Sequence, residues 1–204
     1  MNIDLSSCSP KEIYSTMIQC IVPRPIAWVL SDNGDKTHNL APFSYFNGVC
    51  SQPPILSISV GKKRDGSKKD TWKNIEERSH FVVHLARSKQ AAAVSATAAS
   101  LPFGTSEITE NQLEITQDSE WSLPRLIEAP IAMLCQLHQV VEVGATPQGL
   151  ILGRIEQIYL ADNIVVESGE NGLKLEASAI DPLARLGGDD YAAIGPAFTV
   201  SRPA

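Results

Sequence analysis

The sequence lacks a membrane-spanning helix: no apolar run approaches the ~18 residues that one needs. It also lacks a C-x-x-C pair. Cys8, Cys20, Cys50 and Cys135 stand 12, 30 and 85 residues apart, which fits neither a zinc ribbon nor a redox dithiol. There is no basic excess, with 17 Lys+Arg against 23 Asp+Glu and a net charge of -6, so nucleic acid is not an expected partner. No G-x-G-x-x-G, H-E-x-x-H, P-loop or nucleophile elbow occurs. The four histidines are scattered; His80 and His84 are separated by Phe81-Val82-Val83. On a strand the i, i+4 geometry that would help on a helix is lost, so no metal site is expected. Met1 to Pro10 is polar and carries no secretory pattern, so reduced thiols and a cytoplasmic location are the expectation.

What remains is a chain of 204 residues and 22.1 kDa, 43% hydrophobic. That length predicts a single domain, 1–204, burying roughly 70% of its unfolded surface without disulfide or metal. Ser9, Pro10 and Glu12 form a helix start for residues 10–20. Pro23-Arg24-Pro25 enforces extended backbone before a strand at 26–30. Asp32-Asn33-Gly34-Asp35 predicts a hairpin turn, with residues 38–41 returning.

Residues 55–60 alternate apolar and serine, the pattern of a strand with one face in the core. Further strands are predicted at 81–86, 131–143, 150–160 and 164–167, with helices at 72–77 and 89–99. Residues 101–128 read as loop with one short helix, and 183–204 as a Gly- and Pro-rich tail wrapping the surface. Strands in hairpins with few helices predict a mainly β, antiparallel barrel, because closure removes sheet edges.

Two segments carry ligand-like composition. Asn39-Leu40-Ala41-Pro42-Phe43-Ser44-Tyr45-Phe46-Asn47 interleaves three aromatic rings with small and hydroxylated residues. Such a loop can wall a flat aromatic ligand, or simply cap a core. Lys69-Asp70-Thr71 places a cation and a hydroxyl at a helix start. Free N–H groups there suit a phosphate, or the side chains cap their own turn. Just upstream lie Lys62, Lys63, Arg64 and Lys68, either a small-anion site or a solvated loop. Asp70, Glu76 and His84 are the acid–base candidates, and no spacing pairs them, so no catalytic residue is assigned.

The chain resembles the flavin reductase-like, FMN-binding split-barrel family, in its flavoredoxin-like branch. The resemblance rests on residues 23–29, 39–47, Pro53-Pro54 with the following strand, Lys69-Asp70-Thr71 with Asn74-Ile75, Phe81-Val82-Val83, and residues 182–188 with Tyr191. It implies a six-stranded antiparallel split barrel with flanking short helices, in a homodimer that binds FMN near the subunit interface. It also implies flavin contacts at Trp28, Val29, Leu30, Ala41, Pro42, Phe43, Ser44, Asn47, Ser59, Gly61, Lys69 and Thr71.

Three positions depart from the family pattern. Leu30 stands where a hydroxyl residue is common, leaving only a backbone contact. His84 replaces an asparagine. Cys50 replaces a serine and is either a redox thiol or, by default for a free cysteine, a buried bystander. The implied activity is hydride transfer from reduced nicotinamide, NAD(P)H, to FMN, chemistry that belongs to the cofactor. An electron carrier that keeps FMN and serves a redox partner protein, and a flavin-free structural dimer, are the competing readings.

Overall fold

A computed structural model describes residues 1–169, 172–201 and 203. Its centre is a seven-stranded antiparallel sheet: β1 (Ala27–Asp32), β2 (His38–Phe43), β3 (Phe46–Ser51), β4 (Pro54–Val60), β5 (His80–Leu85), β6 (Ile131–Val143) and β7 (Gln148–Leu160). The order across the sheet is β2-β1-β5-β6-β7-β4-β3. Six strands in a closed ladder were expected; the sheet has seven and is open. Its two edges, β2 and β3, are consecutive in the chain, joined only by Ser44–Tyr45. One segment therefore bends from one edge of the sheet to the other, and this bend is the split. At the bend, Ser59 N–H donates to the Tyr45 carbonyl at 2.9 Å.

Strand β3 is the unpredicted one. An Asn-Gly step favours turns, yet here Asn47 Oδ1 accepts its neighbour Gly48 N–H at 2.8 Å within a strand. The ladder with β4, Phe46 opposite Ile58 and Asn47 opposite Ser57, holds the segment extended. Pairing overrode local preference.

The sheet is buried on both faces over β1 and β5, which explains their continuous apolar runs. One core gathers Val29, Ile58, Phe81, Val83 and Ile151 from several strands, with Trp72 and Ile75 from helix α2 (Asp70–Arg78). It fills the inside of the curl. The other sets Trp28, Leu30, Val82 and Leu134 against Val94, Ile108, Trp121 and Leu126. It lies on the outer face of β1, β5 and β6. Residues 101–128, expected to be loop with one helix, supply that cover through a turn of helix at Glu107–Glu110 and a short ladder between Ile115–Thr116 and Arg125–Leu126.

His84 ties the outer core together. Its Nδ1–H donates to the Trp28 carbonyl and its Nε2 accepts Leu126 N–H, both at 3.0 Å. That pair of partners selects the neutral Nδ1–H ring, fully buried.

Gly153 on β7 shows how tightly the inner core is packed. A Cβ there would run into Phe81 Cζ, and Phe81 is itself fully buried. Gly153→Ala is expected to cost about 2 kcal/mol by overpacking. The double variant Gly153→Ala/Phe81→Leu should recover part of it, measured by urea unfolding. Equal stability of Gly153→Ala and wild type would refute the contact.

Around the sheet, α1 (Pro10–Cys20) begins at a capping box: Ser9 Oγ accepts Glu12 N–H, and the Glu12 carboxylate accepts Ser9 N–H. Helix α3 (Ala91–Ala96) is shorter than expected and ends at Thr97. The C-terminal region is more ordered than a wrapping tail. Ala184–Arg185 pairs with Arg24–Pro25 and with Tyr191–Ala192; the part of that expectation falling on 202 and 204 lies outside the described residues.

Arg24, 4% exposed, binds three parts of the chain. Its guanidinium donates to the Ile18 and Ile21 carbonyls at 2.7 and 2.6 Å, to Leu186 O at 2.7 Å and to Ser44 Oγ at 3.2 Å. The end of α1, the C-terminal ladder and the bend at Ser44 are thereby held in one place.

Candidate functional site

The bend and the start of α2 meet over two adjoining cavities. The first, about 290 Å³, is walled by Ala41, Pro42 and Phe43, by the Lys62–Arg64 turn, by Lys69, Asp70 and Thr71, and by residues 97–101 with Glu107. The second, about 230 Å³, is walled by Tyr14, Ser44, Tyr45, Ser59, Gly61 and Gln148. Pro42, Phe43 and Lys69 border both.

Local sequence sets this geometry. Strand β4 runs out at Val60, and a tight turn follows, with Lys63 N–H donating to Ser67 O at 2.8 Å and Asp65 accepting from Ser67 at 2.9 Å. The chain then enters α2 through Lys69, whose extended backbone is that of an N-cap. Among the described residues no side chain caps this helix. Its first-turn N–H groups therefore keep their capacity to bind an anion. Thr71 does not cap its own turn; its Oγ1 accepts from Asn39 Nδ2 at 2.8 Å, which leaves the Thr71 O–H as a donor.

Charge is concentrated at the same place. Lys62, Lys63, Arg64 and Lys69 all line the first cavity. Lys63 is engaged with Asp70 at 2.6 Å, and Lys68 is turned to Glu76 at 2.6 Å. Lys62, Arg64 and Lys69 form no ion pair among the described residues. Lys69 Nζ lies 5.9 Å from the centre of the Phe43 ring. In the second cavity the Tyr45 hydroxyl is buried without a partner among the described residues, and burial pushes its pKa up.

Of the expected contacts, Ala41, Pro42, Phe43, Lys69 and Thr71 come together in the first cavity, and Ser44, Ser59 and Gly61 join in the second. Four do not. Asn47 lies outside both cavities, exposed on β3. Trp28, Val29 and Leu30 are fully buried on β1, paired with β2 on one side and β5 on the other. The Trp28 indole N–H is spent on Thr97 Oγ1 at 2.9 Å. The Leu30 backbone sits in ladder register with Leu40 and Val82, and Leu30 lines neither cavity.

Cys50 is exposed rather than buried, its Sγ 3.2 Å from the Pro53 carbonyl. Its position on edge strand β3 explains this.

Sequence reasoning assigned no contact to Asn39 or Glu107. Glu107 comes from the stretch without periodicity, where nothing local marks a site. Its side chain is 4% exposed as a residue, and Oε2 accepts Leu40 N–H from edge strand β2 at 2.9 Å. Burial pushes its carboxyl above the ordinary carboxylate range.

The chain compares closely with known proteins along its whole length. Residues 18–171 match the model of the flavin reductase like domain. It is 35% identical to YwrF of Bacillus subtilis (strain 168) over 96% of this chain and 95% of that one. Its structure is similar to nitrilotriacetate monooxygenase component B from Bacillus cereus, with a TM-score of 0.89 and 33% identity over 98% of each chain. It is also similar to the 2-nitrobenzoate 2-nitroreductase NbaA of Pseudomonas fluorescens, with a TM-score of 0.87 and 27% identity over 100% of this chain and 96% of that one. With a model match across most of its length and relatives above 30% identity, the chain belongs to the flavin reductase-like, FMN-binding split-barrel family.

Proposed function

We propose that this protein is an FMN-binding NAD(P)H:flavin oxidoreductase. The observation that carries the reading is the uncapped start of α2, beside Lys62, Arg64 and Lys69, opening directly onto the aromatic-walled bend. A phosphate at one end and a planar ring at the other is the composition of FMN. Membership of the family and likeness to a monooxygenase component B and a nitroreductase support a role in flavin reduction.

The residues present fit the group. Lys69, the first-turn N–H groups of α2 and the Thr71 hydroxyl would hold the phosphate. Pro42 and Phe43 would wall the isoalloxazine, with Ser44, Ser59 and the unpartnered Tyr45 hydroxyl as polar partners in the second cavity. When bound, the flavin would supply the redox chemistry of hydride transfer from reduced nicotinamide. The chain's own part is to hold the ring, to offer donors toward its polar edge and to keep water from the reacting face. The protein need supply no acid or base for hydride transfer, in keeping with the absence of an assigned catalytic residue.

The reading includes a homodimer. Tyr14, Met17, Ile21 and Val22 at α1 and Val49 on β3 are exposed apolar side chains, a surface suited to a second copy.

The test is a titration of FMN into the protein, followed by NADH and NADPH oxidation with free FMN as acceptor. Binding with turnover is expected. Failure to bind FMN would refute the reading. Binding without nicotinamide oxidation, but with rapid reduction by a reduced ferredoxin, would assign the protein instead to electron transfer with a redox partner.

A further inference from the structure

An anion-binding cavity with a carboxyl group in its wall calls for an explanation. Two acids border the first cavity. Asp70 is neutralised by Lys63 at 2.6 Å. Glu107 has no ion-pair partner among the described residues and is almost fully buried, and Leu40 N–H donates to its Oε2. Glu107 lines the same cavity as the cationic side chains. A dianionic phosphate entering beside an ionised, buried Glu107 would meet a like charge in a poorly screening environment.

We propose that Glu107 is a proton-carrying positioning residue: it takes up one proton from solvent when the phosphate end of FMN enters the cavity. This rests on the FMN reading above. Oε2 keeps its bond to Leu40, the proton goes to Oε1, and the resulting O–H donates to the ligand instead of repelling it. A carboxylic acid held neutral so that it can donate a hydrogen bond is an established device in proteins.

The surroundings favour this assignment. From the β4–α2 turn come Lys62, Lys63 and Arg64, and from the start of α2 come Lys69 and Asp70. Residues 97–101 bring no titratable group. From β2 comes His38, whose carbonyl accepts Ser106 Oγ–H at 2.6 Å. Burial holds the His38 ring below its usual pKa, against the opposing pull of Asp32 and Asp35, so above neutrality it is already uncharged. Asp70 and Lys63 act on Glu107 in opposite senses, the first raising and the second lowering its pKa, while burial is the leading cause of its upward shift.

The experiment measures Kd for FMN and for riboflavin from pH 5.5 to 8.5 on wild type and Glu107→Gln. The variant keeps an acceptor for Leu40 and a permanent donor for the ligand. The titration of the FMN phosphate is common to both proteins and cancels in their ratio. For FMN, the ratio of wild-type to variant Kd should climb with pH, approaching the ~tenfold per pH unit of a one-proton linkage and reaching at least about tenfold at pH 8. For riboflavin the ratio should be flat.

A second measurement needs no variant. Calorimetric titration of FMN into wild type at fixed pH, in two buffers of different ionisation enthalpy, should record net proton uptake above pH 7. A flat FMN ratio, or the absence of uptake in wild type that binds FMN, overturns the proposal and leaves the FMN reading intact. If neither protein binds FMN, the FMN reading itself has failed, and this proposal with it.

Discussion

Lys69→Glu is expected to weaken FMN about 100-fold, close to 3 kcal/mol, while riboflavin changes by no more than about twofold. The substitution removes a charge-assisted bond to the phosphate and places a like charge beside it. Riboflavin lacks the phosphate and so lacks the penalty. The fold should not suffer: Lys69 is exposed at the N-cap of α2, where an acidic side chain is favourable to the helix dipole. Thermal unfolding of the variant should therefore be unchanged or slightly raised, separating lost binding from lost structure. Lys69→Met, which keeps the apolar stem near Phe43, should fall between the two. The comparison is made at low, fixed ionic strength, because salt screens the effect. Equal weakening of FMN and riboflavin would remove Lys69 from the phosphate and place it at the ring.

The second large effect is on stability. His84 is buried, and burial pushes its pKa down from 6.5 to about 4. Between those values the unfolded chain binds a proton that the folded chain refuses. Stability is therefore complete above pH 6.5, falls as pH drops through this window, and loses nothing more from His84 below about pH 4. At about 1.4 kcal/mol per pH unit, the loss is about 2 kcal/mol by pH 5 and about 3 kcal/mol by pH 4. Glu107 works in the opposite direction, since a carboxyl raised by burial favours the fold on protonation.

The structural reason is specific. A charged ring would put a second N–H against Leu126 N–H, turning an acceptor into a donor facing a donor. Urea midpoints at pH 7.5 and 5.0 read the effect. His84→Gln, with one donor and one acceptor and no titration, should be less stable at pH 7.5 but nearly level across the range. A wild-type midpoint that does not move between these pH values would contradict a neutral His84.

Much of the fold was legible because it depends on short-range chemistry. The capping box at Ser9, the alternation over residues 55–60 and the long hairpin of β6 and β7 are local patterns, and each became the element it predicted. Strand β3 was illegible because an Asn-Gly step opposes it and only its β4 partner holds it. The three-residue run Trp28-Val29-Leu30 was legible as a strand; that it is buried on both faces of the sheet and lines neither cavity at the bend was not.

The site divides along the same line. By itself the sequence determined the chemistry available, a cationic helix start and an aromatic bend, since residue type and neighbour spacing suffice for these. Only the tertiary structure decided that the bend joins opposite edges of one open sheet, that α2 enters uncapped beside it, and that Glu107 closes the cavity from a segment with no periodicity. Those facts arise from strand pairings and packing between residues tens of positions apart, where the free energy lies in contacts that no local pattern records.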